Sequence, residues 1–182
     1  MSEEKFLAAV KLVLRHEGRF TNNKADPGGA TMYGISLRFL KAAGIDIDLD
    51  GDVDIYDILA LTRDDAEAIY KKHWWDRYYY EDINSKAVST KIFDLAINMG
   101  AKQAHKIAQS AANALGHRLA RDGILGHKSL YAINSLSSMY EESLIRSINK
   151  YAKEFYYTIV ERNPEYSIFL RGWLNRVNDK AP

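Results

Sequence analysis

The sequence contains no cysteine among its 182 residues and only three prolines. The absence of cysteine excludes disulfide bonds and thiol chemistry. No run approaches the roughly 18 apolar residues that a membrane-spanning helix requires. The N-terminal Met-Ser-Glu-Glu-Lys also lacks the charged and apolar regions of a secretory signal. We therefore expect a chain that is synthesised in the cytoplasm and is not inserted into a membrane.

The net charge is small as well, at +1, but it is distributed unevenly. Residues 1–100 carry 13 basic and 17 acidic side chains, whereas residues 101–182 carry 12 and 7. A basic C-terminal part suits an anionic partner such as a bacterial envelope. Because the sequence has no arginine-rich run and no nucleic-acid motif, nucleic acid is not an expected partner.

Helical periodicity extends over nearly the whole sequence. The first helix is indicated by Phe6, Ala9, Val10 and Val13, which recur at three- and four-residue spacing. The same criterion and the glycines that follow predict further helices at 36–43, 62–74, 88–99, 103–115, 129–136, 138–161 and 168–177. Strand signals are few, so the composition and periodicity predict a mainly α domain.

A carboxylic acid stands at the end of the first helix, where Gly18 follows Glu17. Turn-forming residues come next, including Asn22, Asp26 and Pro27, and they predict a long loop that folds back beside Glu17. A partly dry pocket of this kind helps a carboxyl group to hold the proton that a general acid needs. From these residues alone, a surface acid near a helix end is the simpler interpretation.

The segment Arg15-His16-Glu17-Gly18, followed by Asp-Pro-Gly-Gly-Ala-Thr-Met-Tyr-Gly-Ile at 26–35, resembles the signature of the glycoside hydrolase family 108 muramidases. That family includes phage endolysins and bacterial secretion activators. Its pattern is Glu-Gly-Gly-Tyr, a spacer, then Asp-Pro-Gly-Gly-x-Thr-x-Tyr-Gly-Ile. This chain departs from it at Arg19 and Phe20. The resemblance implies a lysozyme-like helical fold with a long active-site loop and a small β-hairpin near residues 28–36.

The resemblance also implies hydrolysis of the β-1,4 bond between N-acetylmuramic acid and N-acetylglucosamine, with Glu17 as the general acid and no cofactor. Asp26 is the candidate base, although an aspartate before Pro-Gly-Gly often only caps its own turn. Thr31 and Tyr33 match the family pattern and are expected to orient water or the substrate. A structural role for Tyr33 is an equal alternative.

Two further segments hold candidate substrate-binding residues. Asp94 and Asn98 share a helix face and lie in a stretch, 93–100, that resembles the family's Phe-Asp-x-x-x-Asn-x-Gly. Polar residues between apolar ones usually satisfy backbone groups in the core. We therefore favour a supporting role for both residues, either holding the Glu17 helix or lining the cleft. Trp74 begins an aromatic run at 74–80, in which some rings are available for stacking on sugars and others belong to the core.

Residues 46–57 alternate acids with aliphatic residues around Gly51. This order fits an EF-hand-like calcium loop, in which many oxygens converge on one hard cation. The predicted ligands of a structural calcium ion are Asp46, Asp48, Asp50, Asp52 and Asp57. An aspartate stands at the last position in place of the usual glutamate, which should weaken calcium binding or shift the preference toward magnesium. The alternative is a solvated acidic loop whose Asp54 caps the next helix.

The stretch from Asp122 to Ile133 resembles the turn and helix of peptidoglycan-binding modules, with Ser129 in place of threonine. A tight turn between two helices explains the same residues equally well. The expected organisation is a muramidase core at 1–116 and a peptidoglycan-binding-like helical part at 117–182, packed together as one compact unit.

Bacterial peptidoglycan is thus the expected partner of a monomeric chain that acts in the periplasm or cell wall. A holin or a secretion machinery would have to release the protein from the cytoplasm. Two other functions stay open. One is a lytic transglycosylase, which ends in an anhydro sugar. The other is a non-catalytic wall-binding or secretion accessory protein.

Overall fold

A computed structural model describes residues 2–18, 20–21 and 29–180 of the chain. Within these residues the fold is mainly α with one small antiparallel hairpin, which confirms the predicted fold class. The α-helices are α1 Ser2–Glu17, α2 Leu37–Ala43, α3 Ile55–Ala60, α4 Arg63–Tyr70, α5 Lys86–Met99, α6 Ala101–Ala114, α7 His127–Arg162 and α8 Ser167–Asn178. A π-helical turn, Lys71–Asp76, follows α4, and 3₁₀ turns cover Tyr80–Asp82 and Pro164–Tyr166. None of these helices has the length and apolar character needed to cross a membrane.

The backbone forms two compact units, one of residues 13–72 and one of residues 1–12 and 73–182. This division reflects how the backbone packs. The division after residue 116 rests on sequence resemblance and stays a prediction.

Short elements make up the unit of residues 13–72. Strand β1, Thr31–Met32, pairs antiparallel with β2, Ile35–Ser36, and α3 packs against both α2 and β1. Helix α2 begins where the Ser36 side chain accepts a hydrogen bond from the Phe39 N–H at 3.2 Å. Helix α4 begins at a capping box of Thr62 and Asp65. Such caps satisfy N–H groups that a helix leaves free, so these helices start where the sequence predicts.

Long helices make up the unit of residues 1–12 and 73–182. Helices α5, α6 and α7 pack on one another, and α8 packs on α7. The core of this unit includes an aromatic cluster of Phe6, Trp75, Tyr80 and Phe93. In this cluster the Trp75 and Phe93 rings meet edge to face, with centroids 5.3 Å apart. Edge-to-face pairs add to the stabilisation that burial provides.

Helix α7 is bent at Tyr140, whose φ of −144° and ψ of 40° are not helical. The sequence predicts two helices here, divided between residues 136 and 138. The non-helical Tyr140 divides α7 into two helical parts close to the predicted division.

A buried lysine binds backbone carbonyl groups at the C-terminal end of helix α8. Lys91 of α5 is 1% exposed, and its Nζ donates to the carbonyl oxygens of Val177 at 3.0 Å and Asp179 at 2.7 Å. Burial lowers the pKa of Lys91. The last carbonyl groups of a helix have no hydrogen-bond partners within the helix. Here the Lys91 side chain of α5 provides such a partner.

Candidate active site

Glu17 is the last residue of α1, as the sequence predicts. Gly18 follows with φ of 72°, a left-handed conformation that glycine adopts without strain, and its N–H still donates to the Leu14 carbonyl at 3.3 Å. The Glu17 side chain is half-buried. The helix therefore fixes the backbone position of Glu17, while part of its side chain remains accessible to solvent.

The turn of the β-hairpin lies against Glu17. Tyr33 and Gly34 connect the two strands with φ of 54° and 80°, and positive φ at both central residues is typical of a two-residue type I′ hairpin. A Cβ on Gly34 would lie 2.6 Å from Glu17 Cγ and 2.7 Å from Glu17 Oε2. A side chain at this position would force Glu17 or Tyr70 to shift and would strain the backbone at positive φ, so Gly34 suits both the turn and the position of Glu17.

Tyr70 holds the turn in place. This tyrosine at the end of α4 is 1% exposed, and its hydroxyl donates to the carbonyl oxygen of Tyr33 at 2.9 Å. The same hydroxyl lies 2.7 Å from the point that a Gly34 Cβ would occupy. Tyr70 is absent from the predicted site residues. Its position on the apolar face of a predicted helix was the available signal, because a buried tyrosine hydroxyl usually has a hydrogen-bond partner.

Thr31 anchors the other end of the hairpin. Its backbone exchanges two hydrogen bonds with Thr21, at 2.9 and 2.8 Å. The two threonine hydroxyl oxygens are also 2.6 Å apart and hydrogen-bonded. The half-buried Thr31 is thus part of the hairpin framework next to Tyr33. The expected contacts of Thr31 and Tyr33 with water or substrate stay predictions.

Asp26 lies outside the described residues, together with most of the predicted loop. Its role as the candidate base stays a prediction. The described part of the site therefore consists of Glu17, the hairpin and Tyr70, all within the unit of residues 13–72.

The other predicted substrate-binding residues belong to the unit of residues 1–12 and 73–182. Trp74 is half-buried in the π-helical turn. Its neighbours Trp75 and Tyr80 are core residues, whereas Tyr79 is 61% exposed. The aromatic run therefore divides between core and surface as expected, and the contact of Trp74 with sugar stays a prediction.

Asp94 and Asn98 have partners within the protein. Asp94 is 1% exposed, and its carboxylate lies 2.9 Å from the Arg176 guanidinium of α8, which also donates to it from Nε. The Asn98 side-chain oxygen accepts a hydrogen bond from the hydroxyl of Tyr156 on α7. Both contacts join α5 to other helices of this unit. These contacts are of the supporting kind that polar residues in a core make, and the substrate-binding role of Asp94 and Asn98 stays a prediction.

The acidic loop brings several predicted metal ligands together. Carboxylate oxygens of Asp46, Asp48 and Asp50 lie within 4.8 Å of one another. Asp46 also accepts hydrogen bonds from the N–H groups of Leu49 at 2.7 Å and Gly51 at 3.0 Å. Repulsion from Asp50 raises the pKa of Asp52. Exposed acids also cluster in this way without a cation, so structural calcium stays a prediction.

Asp57 has a different environment from the exposed acids. It is buried, and it accepts hydrogen bonds from the N–H groups of Ile47 and Asp54, the latter at 2.7 Å. Burial raises its pKa, but the backbone hydrogen bonds outweigh this effect and hold the pKa below its usual range. The bond to Asp54 completes a capping box at the start of α3. The helix cap that the sequence offered as the alternative is therefore present, with Asp57 joining both ends of the loop.

The glycine-bearing turn at residue 122 is packed on α6. Gln109 donates to Asp122 at 2.7 Å and accepts from the Gly123 N–H at 3.0 Å, and His105 Nδ1 lies 2.9 Å from the Gly123 carbonyl. A Cβ on Gly123 would lie 2.6 Å from the Lys102 carbonyl oxygen. The turn is therefore a structural junction between α6 and α7, and its role in binding peptidoglycan stays a prediction.

A family model described as glycosyl hydrolase 108 matches residues 10–100, half of the chain. The chain belongs to glycosyl hydrolase family 108. A second model, described as a predicted peptidoglycan domain, matches residues 103–178 of this family 108 chain. Together the two matches identify a peptidoglycan hydrolase of the glycoside hydrolase class.

Among solved structures, SagA of Brucella abortus is similar to this family 108 chain, with a TM-score of 0.75 and 27% sequence identity. The alignment covers 96% of this chain and 90% of SagA. No curated protein matches the chain.

Proposed function

We propose that this chain is a muramidase that hydrolyses the β-1,4 bond between N-acetylmuramic acid and N-acetylglucosamine. The observation that carries the proposal is the half-buried Glu17 against the Gly34 turn, which Tyr70 holds by its hydroxyl. An enzyme acid must be fixed relative to the reacting bond while remaining accessible to it. Membership of a glycoside hydrolase family and the peptidoglycan domain match support the substrate class.

In the proposed reaction, Glu17 donates a proton to the glycosidic oxygen as positive charge develops on the sugar ring. A second group then assists water or attacks the sugar itself. Asp26 remains our candidate for this group, acting as a base for water. In that role its carboxyl group would lie about 6.5–9.5 Å from that of Glu17, and the enzyme would invert the anomeric configuration. Thr31 and Tyr33 would orient the water or the sugar.

Digestion of purified sacculi tests the proposal. Glu17→Gln keeps the shape of the side chain but removes the acidic proton, so the rate should fall by about 10²–10⁴-fold. Glu4→Gln is the matched control, because Glu4 is an exposed glutamate on the same helix. If a folded Glu17→Gln protein digests sacculi as fast as Glu4→Gln, the assignment of Glu17 is wrong.

The products separate this activity from its alternatives. Hydrolysis leaves reducing muramic acid, whereas a lytic transglycosylase leaves a 1,6-anhydro product of different mass. Binding to sacculi without any release of soluble fragments would instead favour a wall-binding accessory protein.

The place of action is also a proposal. Because peptidoglycan lies outside the inner membrane, we propose that a holin or a secretion route releases the protein into the periplasm or cell wall. Cell fractionation before and after lysis or secretion is induced would check this.

A further inference from the structure

A groove runs between α6 and the second half of α7, with a volume of about 490 Å³. Gln103, Ile107 and Ser110 are spaced by four and three residues, so they line it from one face of α6. Tyr151 and Phe155 face it from α7 at the same helical spacing. All the lining residues lie between 103 and 163, within the peptidoglycan domain match and within one compact unit.

Two guanidinium groups stand at this groove. Arg121 and Arg162 both line it and are exposed, and neither has a hydrogen bond or ion pair with the residues that the structure describes. Glu154 is the single acid among the lining residues, and its carboxylate is 3.9 Å from Lys150 Nζ. The groove therefore offers excess positive charge. A guanidinium presents a planar fork that fits a carboxylate with two parallel hydrogen bonds.

The remaining lining is suited to a peptide. The half-buried Tyr151, Phe155 and Ile159 provide an apolar wall. Two side-chain amides, Gln103 and Asn163, add hydrogen-bonding capacity. Apolar walls with a few polar groups that fix orientation are typical of ligand sites.

We infer that this groove binds the stem peptide of peptidoglycan, with Arg121 and Arg162 holding its free carboxylates. The inference rests on the proposed function, because that function supplies the wall as the ligand. A neutral stretch of glycan offers no charge to the two guanidinium groups. A stem peptide carries several carboxylates, and it contains a diamino acid whose ammonium group suits Glu154. The groove would then bind the peptide part of the wall, whereas the proposed active site acts on the glycan part. It also gives the basic C-terminal part of the chain a specific role.

Calorimetry with the full chain and the free tripeptide alanyl-glutamyl-diaminopimelate tests the inference. Arg121→Gln and Arg162→Gln should each weaken binding about tenfold, the loss expected for one charge-assisted hydrogen-bonded contact. Arg171→Gln is the matched control, since Arg171 is exposed on α8 and does not line the groove. Esterifying the carboxylates of the tripeptide should weaken its binding to the parent protein by at least as much.

Two results would overturn the inference. One is equal tripeptide affinity for the parent and both groove variants, with folding confirmed by circular dichroism. The other is inorganic phosphate binding as tightly as the tripeptide, which would mark a general anion site. Because the tripeptide contains no glycosidic bond, these results do not depend on hydrolysis. A chain that binds the tripeptide but cleaves no sacculi would contradict the proposed function alone.

Discussion

The two compact units of this protein are stabilised in different ways. In residues 13–72 the strands have two residues and the complete helices six to eight, and side-chain caps and positive φ angles define the shape. In residues 1–12 and 73–182 the complete helices have 12 or more residues and bury an apolar core. Substitutions in the first unit should therefore impair the proposed chemistry before they unfold the protein. Those in the second should do the reverse.

The largest effect on stability is expected at Arg176. Arg176→Ala removes the guanidinium that forms an ion pair with the buried Asp94 carboxylate, which should destabilise the fold by about 3–5 kcal/mol. For a chain of this size, that loss lowers Tm by about 10 °C. Thermal unfolding measures the change, and the specific activity per folded molecule should be retained.

The double variant Asp94→Ala/Arg176→Ala provides the control. Because it removes both charges, it should be less destabilised than the sum of the two single variants. If the single variant instead keeps its Tm and loses specific activity, Asp94 has the cleft role that the sequence allowed.

Gly34→Ala should have the largest effect on the site after the loss of Glu17 itself. The new Cβ would lie 2.6 Å from Glu17 Cγ, and moving a catalytic group by about 1 Å can reduce the rate about 100-fold. The measurement is the rate of sacculus digestion at equal concentrations of folded protein.

Gly44→Ala is the matched control for that substitution. Gly44 also has positive φ, at 63°, but a Cβ there meets nothing within 4 Å. Gly44→Ala should reduce the free energy of unfolding by a similar amount through backbone strain, about 1–2 kcal/mol, while activity is retained. Equal loss of activity in both variants would show that backbone strain, and not contact with Glu17, is responsible.

Calcium should have a moderate effect, confined to the acidic loop. If the loop binds with a Kd of about 0.1 mM, 1 mM calcium would stabilise the fold by about 1.4 kcal/mol and raise Tm by about 4 °C. Asp48→Asn should abolish this rise, whereas Asp64→Asn, an exposed acid outside the loop, should not. An identical Tm in calcium and in chelator would identify the loop as a capped turn only.

The sequence predicted the features that depend on neighbouring residues. Gly18 and Gly44 end helices, and Thr62 begins one, because each acts within four residues of its own position. Contacts between distant residues were not predictable in the same way. The Tyr70 hydroxyl reaches the Tyr33 carbonyl across 37 positions, and Lys91 reaches the end of α8 across 86. Periodicity assigns such side chains to a buried face but does not identify their partners.

The smallest predicted effect concerns a single hydroxyl group. Tyr70→Phe removes the hydrogen bond to the Tyr33 carbonyl, at an expected cost of about 1 kcal/mol in stability. Because this bond holds the turn beside Glu17, we also expect roughly tenfold lower activity, a barrier increase of similar size. Sacculus digestion and chemical denaturation measure the two effects on the same protein.

Tyr156→Phe makes the matching change in the unit of long helices. Tyr156 is also 1% exposed, and its hydroxyl donates to the Asn98 side chain. The loss of stability should be similar to that of Tyr70→Phe, but activity should be unchanged if Asn98 only supports the core. A decrease in activity would assign Asn98 to substrate binding, as the family resemblance first implied.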